Sequence, residues 1–147
     1  MRLLAIAIAW LAGLLAAPAA LAQNVVIDCF APTDCRRAVG DALAPAFARA
    51  VPAATHRLVI FGSVHRYTDD RGAAYAVAGV SERLVRNGVE LTLLPLKRYS
   101  ASVPIDRPGL SEADEREALD QAIHAAVDRM MQACAKSAGC DIHKPYR

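Results

Sequence analysis

The segment RLVIFGSVHRYTDDRGAAYAVAGVSERLVRNGVELTLLPLKRY, residues Arg57–Tyr99, decides the fold. Three runs rich in β-branched and aromatic residues, RLVIFGSVHRY, AAYAVAGVSERLV and VELTLLPLKRY, are separated by the turn formers TDDRG and RNG. β-Branched and aromatic side chains fit a pleated sheet, whereas Asp, Asn and Gly tolerate the backbone of tight turns. Asn87-Gly88 suits a two-residue type I′ hairpin, in which both central residues need positive φ. The reading is an antiparallel meander of three strands, with residues 89–99 as the returning strand.

Working outward, Asn24–Asp28 (NVVID) is a candidate fourth strand. Thr33 or Asp34 can cap a helix carrying Val39, Leu43 and Phe47 at four-residue spacing, and Pro45 inside that pattern predicts a kink or break. Residues 100–110 (SASVPIDRPGL) read as a loop because of their two prolines. Ser111 then caps a long helix, with Glu112, Asp114 and Glu115 in the first turn, where the helix dipole favours negative charge. Leu119, Ile123, Val127, Met130, Met131 and Cys134 form its apolar stripe, and the helix is expected to end before Gly139. The predicted fold is α+β: a β-α-β-β-β-α two-layer sandwich, with an antiparallel three- to four-stranded sheet packed by a kinked N-terminal helix and a long C-terminal helix. In element order alone this resembles small envelope domains such as the amino-terminal domain of TolB-like proteins. That resemblance implies a fold and carries no residue role.

The first residues, MRLLAIAIAWLAGLLAAPAALAQ, have the three-part layout of a secretory signal peptide: Arg2, an uncharged run from Leu3 to Ala17, and the small residues of Ala20-Leu21-Ala22 before a cleavage point. The apolar run is shorter than the roughly 20 residues a bilayer needs. The expectation is a signal peptide at 1–22 and a single disulfide-stabilised domain at 23–147, periplasmic or secreted, with no transmembrane segment in the mature chain. A lipid-anchored form is not expected, since Cys29 lies too far along and follows Asp28.

Export bears on the four cysteines, Cys29, Cys35, Cys134 and Cys140, which form two matched pairs (CFAPTDC and CAKSAGC). Outside a reducing compartment such thiols are oxidised. Zinc hooks are usually C-x₂₋₄-C and redox centres C-x-x-C, whereas both pairs here have five intervening residues. Two structural disulfides are therefore expected. Four cysteines allow three pairings. By chain entropy a local bridge is worth about 2.4 kcal/mol and an end-to-end bridge about 4.8. The repeated spacing favours the local pairs without deciding between the two.

Without Arg2 the chain carries 16 basic and 15 acidic residues, a net +1 that lacks the charge footprint of a nucleic-acid binder. Catalytic candidates are sparse. Ser63 and His65 lie two apart on one strand, with Asp69-Asp70 following, but no G-x-S-x-G elbow presents the serine. Asp120, His124 and Asp128 share a helical face that can hold a metal or stand as a solvated stripe. No phosphate loop, H-E-x-x-H or dinucleotide fingerprint occurs, and no cofactor is expected.

Two function classes remain. One is a non-enzymatic exported binding module, such as an envelope-assembly factor, an inhibitor or an immunity-type protein. The alternative is a small secreted hydrolase with a site assembled around His65 or His124. Strand register supports the first. With Asn87-Gly88 at the turn, Leu84 faces Leu91, Glu82 faces Leu93 and Val80 faces Pro95. If Asp70-Arg71 centres the other turn, Val59, Phe61 and His65 join that face. Leu58, Ile60, Val64, Tyr75, Val77, Leu94 and Leu96 then occupy the opposite one. A sheet apolar on both faces needs two covers, and a face left bare marks a protein partner or self-association site. Tyr75, Val77, Leu94 and Leu96 are the candidate interaction face.

Overall fold

The computed structural model describes residues 25–43, 47, 51–137 and 140–143. The candidate signal peptide, the kink at Pro45 and the bend at Gly139 lie outside them. The elements are β1 (Ile27–Phe30), α1 (Cys35–Val39), a 3₁₀ turn (Gly40–Ala42), β2 (His56–Arg66), β3 (Arg71–Arg86), β4 (Val89–Thr92), β5 (Tyr99–Asp106), α2 (Glu112–Lys136) and a second 3₁₀ turn (Asp141–His143).

The spine is β3, sixteen residues long. One of its edges pairs antiparallel with β2 along the whole of β2, from His56↔Glu82 to Arg66↔Gly72. Its other edge is shared: β4 pairs with the last residues (Leu84↔Leu91) and β5 with the first (Tyr75↔Ser102). β1 joins β2 in parallel, with Phe30 opposite Phe61. The α+β class stands, but the sheet is curled, mixed and five-stranded, not the antiparallel three- to four-stranded sheet of a β-α-β-β-β-α sandwich.

Four local expectations are corrected. Residues 100–106 are strand, not loop. β5 pairs with β3 alone, and an edge strand tolerates Pro104 because its missing N–H can fall on the open side. The returning strand stops at Thr92, so Glu82–Leu93 and Val80–Pro95 are not ladder pairs. Residues 93–98 instead pass against Gly79, where an added Cβ would lie 2.5 Å from both Pro95 Cβ and the Lys97 carbonyl oxygen. The N-terminal helix ends at Val39, because Gly40 takes φ 50° and Leu43 is extended. Val39 and Phe47 still reach the core, with Leu43 packed beside them, but from separate pieces of chain.

The fourth correction is one of register. A turn centred on Asp70-Arg71 would set Arg66 opposite Tyr75; its partner is Gly72, in a turn closed by Tyr67 N–H donating to Arg71 O (2.8 Å). The slip is three residues, an odd number, and any odd slip sends a strand's side chains to the other face. Leu58 and Ile60 therefore lie opposite Val80 and Ala78 on the helix side, fully buried, with Val64 opposite Ala74. They do not join Tyr75 and Val77.

Both helices pack on this one side. Asp34 caps α1 by accepting from Arg36 N and Arg37 N. Ser111 caps α2 in a capping box: Asp114 N–H donates to Ser111 Oγ (3.2 Å) and Ser111 N–H to the Asp114 carboxylate (3.0 Å). The buried stripe of α2, including Leu119, Ile123, Val127, Met130 and Met131, meets alanines 74, 76 and 78 of β3. Each large apolar side chain so buried stabilises the fold by about 1.5–3 kcal/mol. The disulfides are Cys29–Cys35, fastening β1 to α1, and Cys134–Cys140, fastening the end of α2 to the second 3₁₀ turn. The local pairing suggested by the spacing is the one formed. Among the described residues no helix is long and apolar enough to cross a membrane.

Candidate interaction face

The other side of the sheet carries no helix among the described residues, and its rows follow from the register. Phe30, Phe61, Val77 and Ser100 lie across β1, β2, β3 and β5; Ser63, Tyr75 and Ser102 form the next row. Phe30 stacks on Phe61 with ring centroids 4.9 Å apart and planes 15° from parallel. The His65 ring meets Tyr75 edge-on at 5.7 Å, and the Tyr75 hydroxyl is 2.8 Å from that of Tyr67. That hydroxyl contact raises the Tyr67 pKa above the ordinary phenol value, with partial desolvation adding to it.

Toward the other end of the same side the picture changes. Val59 lies opposite Gly79, against which Pro95 and the Lys97 carbonyl rest, and is 0% exposed, whereas Phe30, one row away on β1, is 49% exposed. Beside Val59 sits a buried guanidinium. Arg57 Nη1 donates to Asp28 (2.6 Å) and to Thr92 Oγ1 (3.3 Å), while Nη2 pairs with Glu90. Glu90 also takes Arg83 Nε (2.5 Å), and Thr92 Oγ1 donates to Asp28 (2.7 Å). The hydrogen bond that Arg57 donates to Asp28 is the leading cause of the raised Arg57 pKa, ahead of the opposing effect of burial. Glu90 is held below the usual carboxylate range by Arg83 first and Arg57 second. This network binds β1, β2, β3 and β4 to one another. Sequence reading missed it because its members come from four separate segments with no local spacing signal.

Of the four predicted interface residues, the strand register places Tyr75 and Val77 on this side. Tyr75 is 42% exposed and Val77 half-buried on β3. Leu94 and Leu96, 68% and 64% exposed, flank Pro95 in the segment that passes against Gly79. The Phe30–Phe61 stack, which was not foreseen, extends the same patch.

The chemical candidates fare differently. Ser63 Oγ lies 3.3 Å from His65 Nε2, but among the described residues no carboxylate is bonded to that ring. Asp70 accepts from Gly109 N through its carboxylate (2.7 Å) and from Arg107 N through its carbonyl (2.9 Å), and Asp69 O accepts from Leu110 N (3.0 Å). They anchor the loop between β5 and α2. Asp120 accepts from Thr33 Oγ1 (2.6 Å) and pairs with Arg37 (3.0 Å), clasping α1 to α2, while His124 and Asp128 are exposed. Among the described residues no three His, Cys, Asp or Glu side chains are grouped to hold a metal.

No protein-family model matches the chain, and no curated protein is detectably similar to it. A solved structure from Caulobacter crescentus, described as a "putative lipoprotein", aligns over 80% of this chain and 96% of its own at 19% identity, with a TM-score of 0.41. Likeness at that level assigns this chain neither a family nor an activity.

Proposed function

We propose that the chain is an exported, non-enzymatic binding module that docks another protein on the helix-free side of its sheet, through Tyr75, Val77, Leu94 and Leu96 with the Phe30–Phe61 stack. Envelope-assembly factors, inhibitors and immunity-type proteins work through surfaces of this kind. The observation that carries the reading is the contrast within one sheet: one side is filled by α1 and α2, while Phe30 and Tyr75 stay exposed on the other beside Phe61 and Val77. Contiguous exposed apolar groups on a rigid scaffold are the usual mark of a docking surface. Two disulfides fit an oxidising compartment outside the cytoplasm. The hydrolase alternative around His65 rests on the Ser63–His65 contact, and among the described residues no acid is bonded to that imidazole.

The test compares tagged mature protein with Val77→Asp, both checked for an unchanged circular dichroism spectrum. Binding partners recovered by the parent and lost by Val77→Asp support the face. A partner set indifferent to both Val77→Asp and Leu94→Asp refutes it.

A further inference from the structure

The hairpin of β3 and β4 projects beyond the helices as a two-stranded ribbon: β4 packs substantially on β3 alone. All four residues of β4 are exposed, as are Leu84, Val85 and Leu93 around it. Two strands by themselves are marginal in water. The three outer edges of the sheet are also unequal. On β5, Arg129 donates to the Ser100 carbonyl and Pro104 removes a donor. Near β1, Arg36 donates to the Val25 carbonyl (3.1 Å). Among the described residues nothing caps the outer edge of β4, and it holds no proline. Proline on an edge strand keeps that edge from pairing, and β4 has none.

We propose that the edge of β4 pairs antiparallel with β4 of a second copy, in one register fixed by the backbone and by charge. In a two-residue hairpin the closing pair, Arg86↔Val89, is hydrogen-bonded, and so is every second pair after it, here Leu84↔Leu91. The N–H and C=O groups of Val89 and Leu91 therefore point to β3, and those of Glu90 and Thr92 point outward. A two-fold axis at Leu91 sets Glu90 opposite Thr92 of the other copy and Thr92 opposite its Glu90. Both pairs are in hydrogen-bonding phase, and neither sets like charges opposite each other. Moving the axis to Glu90 sets two carboxylates face to face and keeps one hydrogen-bonded pair, so that register is disfavoured. The chosen register brings the two Leu91 side chains together at the close, non-hydrogen-bonded position and makes a continuous row of Leu84, Leu91 and their two-fold mates. The ribbon becomes four strands wide. Glu90 and Thr92 keep their contacts to Arg57 and Asp28, which lie on the opposite face from the leucines. This surface is separate from the Tyr75–Val77 face and stands or falls without it.

The experiment is sedimentation of the mature disulfide-bonded protein over a concentration series, beside Leu91→Lys, Val85→Lys and Leu91→Cys. A reversible dimer is expected for the parent. Leu91→Lys places two cations across the axis and weakens the dimer at least about tenfold, while Val85→Lys, on the other face, leaves it intact. Leu91→Cys cross-links on mild oxidation, because close antiparallel pairs have Cα atoms about 4.5 Å apart, within disulfide range. A parent that stays monomeric at every concentration overturns the proposal. So does a dimer that tolerates Leu91→Lys, or one in which Leu91→Cys does not cross-link.

Discussion

Val59 and Phe30 sit on the same side of the same sheet, on neighbouring strands, yet one is sealed and the other is half in water. Strand alternation sets which side a residue faces and says nothing about whether that side is covered. The sealed half carries Pro95 and the Lys97 carbonyl against Gly79 and the Arg57 network. The open half has only its own aromatic contacts. One half should therefore respond to substitution like a protein core and the other like a surface.

The largest difference should come from Asp28→Ala. Removing one partner of a buried ion pair leaves a desolvated charge and costs about 3 kcal/mol, and only Glu90 and the Thr92 hydroxyl would then hold Arg57. The urea midpoint should fall accordingly; an unchanged midpoint would mean that the Asp28 arm of the network contributes nothing to the sealed half. Gly79→Ala follows at about 2 kcal/mol, the usual scale of overpacking, since a Cβ there meets Pro95 and the Lys97 carbonyl. The displaced segment should also speed hydrogen exchange at Val59, and normal protection there would count against the cover.

Third is Ser111→Ala, on the helix-covered side, with an expected loss of about 1 kcal/mol for a lost N-cap. It carries a pH signature. The Asp114 carboxyl is lowered to about 2, first by the Ser111 hydroxyl, then by Ser111 N–H and Arg107. A carboxylate lowered on folding contributes stability that is complete above its ordinary pKa, near 4, and disappears as pH falls through the folded value. Acid melts of the parent should therefore lose stability between about pH 4 and pH 2, and Ser111→Ala should flatten that slope. Identical slopes would remove the capping box from the explanation. The smallest effect belongs to the open half: Tyr75→Phe breaks only the exposed contact with Tyr67 and should shift stability by less than about 0.5 kcal/mol. A shift like that of Gly79→Ala would erase the distinction between the halves.

Much of this was legible because it depends on local chemistry. Asn87 and Gly88 take φ 53° and 76°, as the hairpin required, and Ser111 caps α2 three residues before Asp114. The two cysteine pairs close on themselves. What failed depends on contacts distant in sequence. Tyr67–Arg71 contains several residues able to centre a turn, and Asp70 is engaged by Arg107 and Gly109 some forty residues away. Once the centre moved, the side chains of β2 changed faces. Pro104 reads as a loop residue until it is known that β5 has a free edge. Of the candidate face, Tyr75 and Val77 were readable from alternation on β3. Phe30 and Phe61 were not paired in advance because β1 was not known to run parallel to β2.

The two disulfides have a further consequence, for biogenesis. Each joins cysteines that are consecutive along the chain, so the native pairing is also the order of synthesis. A polypeptide threaded out of a reducing compartment amino-terminus first presents Cys29 and Cys35 together, long before Cys134 arrives. Oxidation in order of arrival then makes only correct bonds, and a simple oxidase suffices. Chains whose bridges cross must have early mistakes undone, a reshuffling that takes seconds to hours. This one should mature at the same yield in cells with or without a disulfide isomerase.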